Sequence, residues 1–435
     1  MSDVRPFHGV HYNLSLLHDW TRVLCPVYDI IPAGQQEELY RKSDYNFVRL
    51  EAGRELPQDT PGDNKYTRAA ATFNEWLSKR VLETDLMPAI YIHDHYFIFG
   101  RKQYTRRGLI ARVRLEEWEK AIIRPHESTL SEPKTDRLSL LWAIQANTSS
   151  ILSLYEDEEH EVANALAAEE KGQPLIDLKP VDGEAHRVRA ITDPIAIGKI
   201  SSHMEKRPLY VADGHHRYES ALNYRRQRRA SANAPGDQPF DFVMMTLVEV
   251  SDPGLLILPT HRLVRGIPRP VLRDAKARLG AFFGIEEHSV DEPGLWNYLD
   301  ERSRGPDDNR LVVVGPGRAQ VLILRLNDVR AVATMMPQFH SDLYRRLEVS
   351  IIDHAILEEL LGLSPDKDGV NLGFTYDSED AVKRVASGEF QLAFLVKPIR
   401  PSVVKAIADV GDKMPKKSTY FYPKVPAGLI LSRLA

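Results

Sequence analysis

Cysteine is almost absent from this 435-residue chain, where Cys25 stands alone. A single thiol excludes an internal disulfide and a cysteine-based zinc site. Long apolar runs are missing too. No segment approaches the ~18 consecutive apolar residues of a membrane span. The N-terminal stretch Met1-Ser2-Asp3-Val4-Arg5-Pro6-Phe7-His8 has no apolar leader core, so the expectation is a cytoplasmic protein without a membrane partner. There is no surplus of basic charge: 57 Lys and Arg stand against 61 Asp and Glu, a net charge of −4. A general nucleic-acid binder would carry a basic excess, so nucleic acid is not the expected partner. No internal repeat is found.

What remains is ordinary globular material, with 43% hydrophobic and 27% charged residues. The length suits two or three domains. The expected division is an N-terminal α/β region over 1–105, a core over 106–250 and a C-terminal α/β region over 251–435. Phe47 to Leu50, Met87 to His93, Tyr96 to Phe99 and Leu109 to Val113 read as strands. Lys65 to Leu82 and Asp136 to Asn147 have helical spacing. Glu156 to Gly172, acidic and Ala-rich, reads as an exposed helix. Phe242 to Val248 and Leu255 to Leu258 read as buried strands, and Val312 to Leu324 as a hairpin. Its Gly315-Pro316-Gly317 turn lacks the Lys-Ser/Thr and the helix of a phosphate loop. Ser231 to Gln238 reads as a loop.

The most informative stretch runs from Arg207 to Tyr224. Leu209 to Ala212 reads as a strand, Asp213-Gly214 as a tight turn, and a helix begins near His215. The first helical turn has N–H groups without intrahelical partners, and the dipole there favours negative charge. Gly214 allows close backbone approach. His215, His216 and Arg217 add donors at the same end, where basic residues oppose the dipole. That conflict points to anion binding, and to phosphate in particular. The plainer reading makes Asp213 an N-cap and Gly214 a turn residue. The arginines from Arg225 to Arg229 suit the C-terminal end of the same helix.

Ala212-Asp213-Gly214-His215-His216-Arg217-Tyr218, with Ala221, resembles the phosphate-binding element of the ParB/sulfiredoxin superfamily. There a Gly-(Glu/His/Cys)-(His/Arg)-Arg element opens a helix and holds nucleotide phosphates. Members include CTP-hydrolysing chromosome-partitioning proteins, sulfiredoxin and free-serine kinases that use ADP or ATP. The segment Arg124-Pro125-His126-Glu127 is similar to the His-Glu element of those kinases. The resemblance implies Glu127 as the base on a substrate hydroxyl, with His126 lining the same pocket. Unaided, Pro125-His126-Glu127 reads as a helix start, with Glu127 favoured by the dipole.

Over its length the chain also resembles a bacterial and archaeal family of uncharacterised proteins, domain of unknown function 1015. The matching motifs are Arg5-Pro6-Phe7, Cys25 to Ile31, Asn46 to Glu51, Arg107-Gly108, His126-Glu127, Asp136-Arg137-Leu138, His215-His216-Arg217, Leu258 to Arg262, Phe339-His340 and Met414 to Lys424. Cys25-Pro26 departs from the family's Pro-Pro, which speaks against a catalytic role for Cys25.

Further candidates surround these motifs. Met414 to Lys424 combines lysines, hydroxyls and aromatics suited to phosphate and base, and puts Lys416, Lys417 and Ser418 in a possible cleft. A terminal segment whose aromatics plug a core explains it equally well. Pro259 to Arg262 reads as an exit loop that directs His261 and Arg262 towards the same cleft. Asp29 could supply a carboxylate to Mg²⁺, which binds through one or two carboxylates plus substrate phosphates; a cap explains it as well. The expected protein is thus of mixed α/β class, with a ParB/sulfiredoxin-like core and additional α/β regions. Its expected activity is phosphoryl transfer from ATP, ADP or another nucleotide, with Mg²⁺, to a small hydroxylated, serine-like metabolite. In it Asp213, Gly214, His215, His216 and Arg217 hold the phosphates. Two alternatives stand beside this. One is a metal-dependent hydrolase drawing on Asp213, His215, His216, His126, Glu127 and His261, although adjacent helical histidines diverge and no His-x-x-x-His or Glu-x-x-His ladder occurs. The other is a non-catalytic nucleotide sensor.

Overall fold

Apolar runs buried on both faces form the central strands of the first of two compact units. The computed structural model describes all residues except 18, 130, 182, 232–234, 294, 296–309, 316–319, 328 and 364–370. The described chain divides into residues 1–125, 129–256 and 423–435, and residues 126–128 and 257–422. The class is mixed α/β. The main strands of the first unit are β1 (Ile90–Phe99), β2 (Lys102–Arg114), β3 (Ile123–Pro125), β4 (Ile151–Tyr155), β5 (Ile176–Val181), β6 (Glu184–Ile191), β7 (Leu209–Asp213) and β8 (Phe242–Glu249). They lie in the order β3-β7-β4-β8-β2-β1-β6-β5, and Val4–Arg5 adds a short strand against β2. The pairs β3–β7 and β4–β8 are parallel, and the other neighbours are antiparallel.

Both faces of this sheet are covered. On β2, Leu109, Ala111 and Val113 enter one apolar cluster and Ile110 the other. On β8, Val243, Met245 and Leu247 likewise oppose Met244. Successive strand side chains point to opposite faces, so a near-continuous apolar run is the signature of a strand buried on both sides. The β1–β2 hairpin crosses residue 105, so the expected boundary there divides one sheet.

The helices of this unit are α1 (Ala33–Lys42), α2 (Val48–Glu51), α3 (Lys65–Ser78), α4 (Ser131–Ile144), α5 (Glu161–Ala168), α6 (Pro194–Glu205) and α7 (His215–Ser231). Asn64 and Thr67 form a reciprocal capping box at the start of α3, and Ala69, Phe73 and Trp76 bury one face. The expected extension to Leu82 fails because Arg80 turns left-handed and Leu82 enters a strand. Helix α5 is shorter than its acidic composition suggested. Asp157 accepts from the N–H groups of Val162 and Ala163, which fixes the start inside the acidic run. Phe47 to Leu50 is a correction: this β-prone run forms helix α2. Just ahead of it, Asn46 accepts from Val48 N while its amide nitrogen donates to the Arg22 carbonyl. The loop expected over 231–238 lies partly outside the described residues.

In the second unit six strands form one antiparallel sheet, in the order Phe283–Ser289, Gln320–Leu326, Arg310–Val314, Leu392–Leu395, His261–Val264, Leu372–Thr375. The 310–326 pair is the expected hairpin; Pro316 and Gly317 of its turn lie outside the described residues. The exit loop expected at Pro259 to Arg262 is corrected: His261 and Arg262 open a central strand and are buried. Arg262 holds Asp353 in a two-pronged ion pair at 2.7 and 3.2 Å, and His261 Nδ1 accepts from Val396 N. Both serve the interior of this unit.

Candidate functional site

Strand β7, with Leu209 to Ala212 buried, lies between β3 and β4, and a bulge against β4 falls between Val211 and Asp213. A bulge re-aims the residue that follows it, here Asp213 at the end of the strand. Gly214 follows at φ +98°, and helix α7 opens when Tyr218 N donates to the Gly214 carbonyl at 3.0 Å. Only glycine fits here. A Cβ would meet an unfavourable φ and would stand 2.9–3.0 Å from the Arg217 guanidinium. The sequence therefore does place a strand, a glycine turn and a histidine-rich helix start in succession. His215 is buried and His216 half-buried.

Arg217 folds back over this turn. Its Nη2 donates to Asp213 at 2.7 Å, and its Nη1 donates to the Ser150 carbonyl at 2.6 Å and to Ser149 Oγ at 3.3 Å. Its Nε, which faces the Gly214 turn, is buried and has no hydrogen-bond partner among the described residues. Lys424 forms a second ion pair with Asp213. Burial pushes the Asp213 carboxyl up, but Lys424 and Arg217 outweigh it and hold the group well below the usual carboxylate range. Burial lowers the Arg217 guanidinium, and Asp213 and Asp29 more than reverse that.

The network continues past Ser149. Its hydroxyl donates to Glu51 at 3.0 Å, Thr148 donates to the same carboxylate at 2.6 Å, and Arg137 stands 3.8 Å away. Glu51, fully buried, ends α2 and borders an open cavity of about 420 Å³ that Tyr28, Lys65, Tyr66, Asp136 and Arg137 also line. Burial pushes the Tyr28 hydroxyl up to about 12, so it stays neutral. Asp29 is exposed on the short helical turn Tyr28–Ile30.

His126 and Glu127 belong to the second unit, where they meet the tail motif almost three hundred residues away. Met414 N donates to the His126 carbonyl at 2.8 Å, and His126 Nε2 lies 3.0 Å from Thr419 Oγ1. Glu127 Oε1 accepts from Lys417 N at 2.9 Å. Lys417 adopts φ +56°, and Ser418 is buried, its hydroxyl donating to the Pro415 carbonyl. Lys416 and Lys417 are exposed. Glu127 does not start a helix, since α4 begins only at Ser131. Of the tail's lysines, Lys424 is the one on Asp213.

The sequence match to the family described as proteins of unknown function, DUF1015, runs over residues 4–350. The chain belongs to that family. No curated protein matches it. Among solved structures, a conserved hypothetical protein from Pyrococcus furiosus is 12% identical, with 75% of this chain and 95% of that one covered and a TM-score of 0.35. A free serine kinase variant in complex with AMP is 13% identical, covering 74% and 92%, with a TM-score of 0.35. SbnI with a C-terminal truncation, from Staphylococcus aureus, is 10% identical, covering 74% and 87%, with a TM-score of 0.33. Among the described residues of this DUF1015 chain, no helix is long and apolar enough to cross a membrane.

The DUF1015 match contains the helix start at His215 and stops short of Lys424. The sequence placed Lys424 in the phosphate-suited tail without showing its pairing with Asp213, and Glu51, Ser149 and Arg106 were not expected in the same constellation. Glu51 stood inside a recognised motif but was not weighed as a charge. Arg106, fully buried, donates to the Pro423 carbonyl at 2.7 Å and so pins the backbone next to Lys424. Nothing local in the sequence signals that contact, which spans more than three hundred residues.

Proposed function

We propose that this protein binds a nucleotide at the start of α7 and transfers a phosphoryl group to a small hydroxylated metabolite of serine-like kind. The observation that carries this reading is the buried Arg217 Nε. It faces a glycine turn at a helix N-terminus, next to a second buried cation, Lys424. A buried donor without an acceptor is costly, and a phosphate oxygen at the turn would satisfy it. The resemblance of residues 212–218 to the ParB/sulfiredoxin phosphate element supports the same ligand. In this reading Gly214 and the first-turn N–H groups approach the phosphates, with His215 and His216 beside them. Arg217 and Lys424 supply positive charge from behind, and Asp213 positions both. Asp29 would hold Mg²⁺ together with the phosphates, and that ion would supply charge neutralisation. Glu127 would orient or deprotonate the acceptor hydroxyl, a role supported by resemblance alone.

A second reading, a nucleotide-binding regulator without chemistry, is favoured by one observation: Glu127 already caps Lys417 N. One experiment separates the two. The full chain is incubated with ATP or ADP, Mg²⁺ and a panel of hydroxylated metabolites including serine, and products are followed by phosphorus NMR. Phosphoryl transfer that drops about 10²–10⁴-fold in Glu127→Gln, with nucleotide affinity kept, supports a base at this position. Nucleotide binding without transfer to any acceptor supports the regulator. Transfer unchanged in Glu127→Gln removes this residue from the chemistry.

A further inference from the structure

On the far side of the sheet from its β3 edge, β1 and β6 bring three histidines and a glutamate together. His93-Asp94-His95 and Glu184-Ala185-His186 each place residues two apart on an extended strand, so each pair shares a face. The antiparallel register sets His95 directly opposite His186. The His95 and His186 rings lie 4.2 Å apart, centroid to centroid. His95 Nε2 is 3.0 Å from Glu184, and His93 Nε2 is 3.0 Å from His186 Nδ1. One ligand atom from each of His95, His186 and Glu184 falls within 4.8 Å of the other two. The histidines are buried, while the Glu184 side chain is 38% exposed, which leaves an approach from solvent.

We propose that His95, His186 and Glu184 form a binding site for a divalent first-row transition metal ion, with His93 as the group that orients His186. Two imidazoles and one carboxylate are a recurrent donor set for zinc and for non-haem iron, with positions left for water or substrate. Ligands about 2.1 Å from such an ion stand roughly 3.0–3.4 Å from one another. The His95–Glu184 separation already matches, and the remaining spacing closes by side-chain rotation. A His93 nitrogen accepting from His186 Nδ1–H leaves the lone pair on His186 Nε2, the usual outer-shell arrangement of a metal-bound histidine.

Arg106 sets the selectivity. Its Nη2 lies 3.1 Å from His95 Nδ1 and can only donate, so in the metal-free protein the His95 proton sits on Nε2 and points at Glu184. A metal ion bound at Nε2 displaces that proton, and His95 stays a neutral ligand by carrying it on Nδ1, with Arg106 Nη2 turned away from the ring. The nearby guanidinium also disfavours a bare dication, which excludes weakly held Mg²⁺ or Ca²⁺ and requires an ion with high imidazole affinity. None of the ligands of this site belongs to the α7 helix start, although Arg106 touches both His95 and the backbone beside Lys424.

The test is a titration of the chelator-treated full chain with Co²⁺, followed by visible absorption, with metal analysis of the protein as purified. The expected result is one equivalent bound with a ligand-field spectrum. Affinity should fall at least tenfold in His186→Gln and Glu184→Gln, and about 10–100-fold in His93→Phe. Glu184→Gln, at the half-open rim and of the same size, carries the test if the buried histidine variants do not fold. Absence of saturable Co²⁺ binding, or equal affinity in wild type and Glu184→Gln, overturns the proposal. Loss of metal in His215→Ala with retention in Glu184→Gln overturns it as well, by moving the ion to the helix start.

Discussion

Replacing Asp213 by asparagine removes the carboxylate on which Arg217 and Lys424 both rest. The three side chains are only 17%, 10% and 10% exposed, so the interior regime applies rather than that of a screened surface pair. Breaking such a pair from one side costs ~3–5 kcal/mol, because the remaining charge stays buried. Two features reduce that figure here. Arg217 keeps its bonds to the Ser150 carbonyl and Ser149, and the long Lys424 stem can carry its ammonium towards water. A loss of about 3 kcal/mol is expected, or roughly 6–12 °C in Tm at ~2–4 °C per kcal/mol for a unit of this size. The assay is thermal melting by circular dichroism, with Lys424→Met added in the Asp213→Asn background. The double variant should recover part of the loss, since removing one stranded cation relieves the other, with a coupling energy of ~1–3 kcal/mol. The pH dependence has a definite sign. The folded-state pKa of Asp213 is depressed, so its contribution is complete above the ordinary carboxylate value near 4 and fades as pH falls towards the lower native value. The gap between wild type and Asp213→Asn should therefore be full at pH 6–7 and shrink below about pH 4. A Tm change under about 2 °C at pH 7, or a gap that widens in acid, would refute the reasoning.

Gly214→Ala forces a left-handed φ on alanine and drives its Cβ into the Arg217 guanidinium. It should cost at least ~1–2 kcal/mol in denaturant unfolding and weaken nucleotide binding at least tenfold; unchanged affinity would remove the turn from the site. Arg262→Met strands the Asp353 carboxylate inside the second unit and should cost about 3–5 kcal/mol by chemical denaturation with nucleotide affinity unaltered. A loss of affinity without a loss of stability would instead return Arg262 to a ligand-facing role.

Much of the first unit was legible because its signals are local. Residues 209–217 carry a strand, a turn that requires glycine and a helix start within nine positions, and tertiary contacts do not override any of them. Strand β2 was likewise visible as the apolar run Leu109 to Val113, and β1 as two runs, Met87 to His93 and Tyr96 to Phe99, which form the single strand Ile90–Phe99. Phe47 to Leu50 was misread because propensity favours a strand there, whereas the Asn46 side chain on Val48 N and the burial of Phe47, Val48 and Leu50 select a helical turn. Pro259 to Arg262 was misread for the opposite reason. Charge suggested a loop, but a carboxylate on a distant helix neutralises Arg262 inside a sheet. The partners that complete the α7 site come from residue 51, from residues 149–150 and from residue 424, and such long-range pairing leaves no trace in spacing or composition. The His95–His186 pair was invisible for the same reason: two short motifs some ninety residues apart become one cluster only through the register of β1 on β6.

Calorimetric titration of ATP, ADP and CTP, each with Mg²⁺, into the full-length protein tests the central claim most directly. The account predicts saturable binding of at least one nucleotide at one site per chain, weakened tenfold or more in His216→Ala, whose fold should remain intact. A folded wild-type protein that binds none of the three at millimolar concentration, or that binds one equally well with His216 replaced, would contradict it.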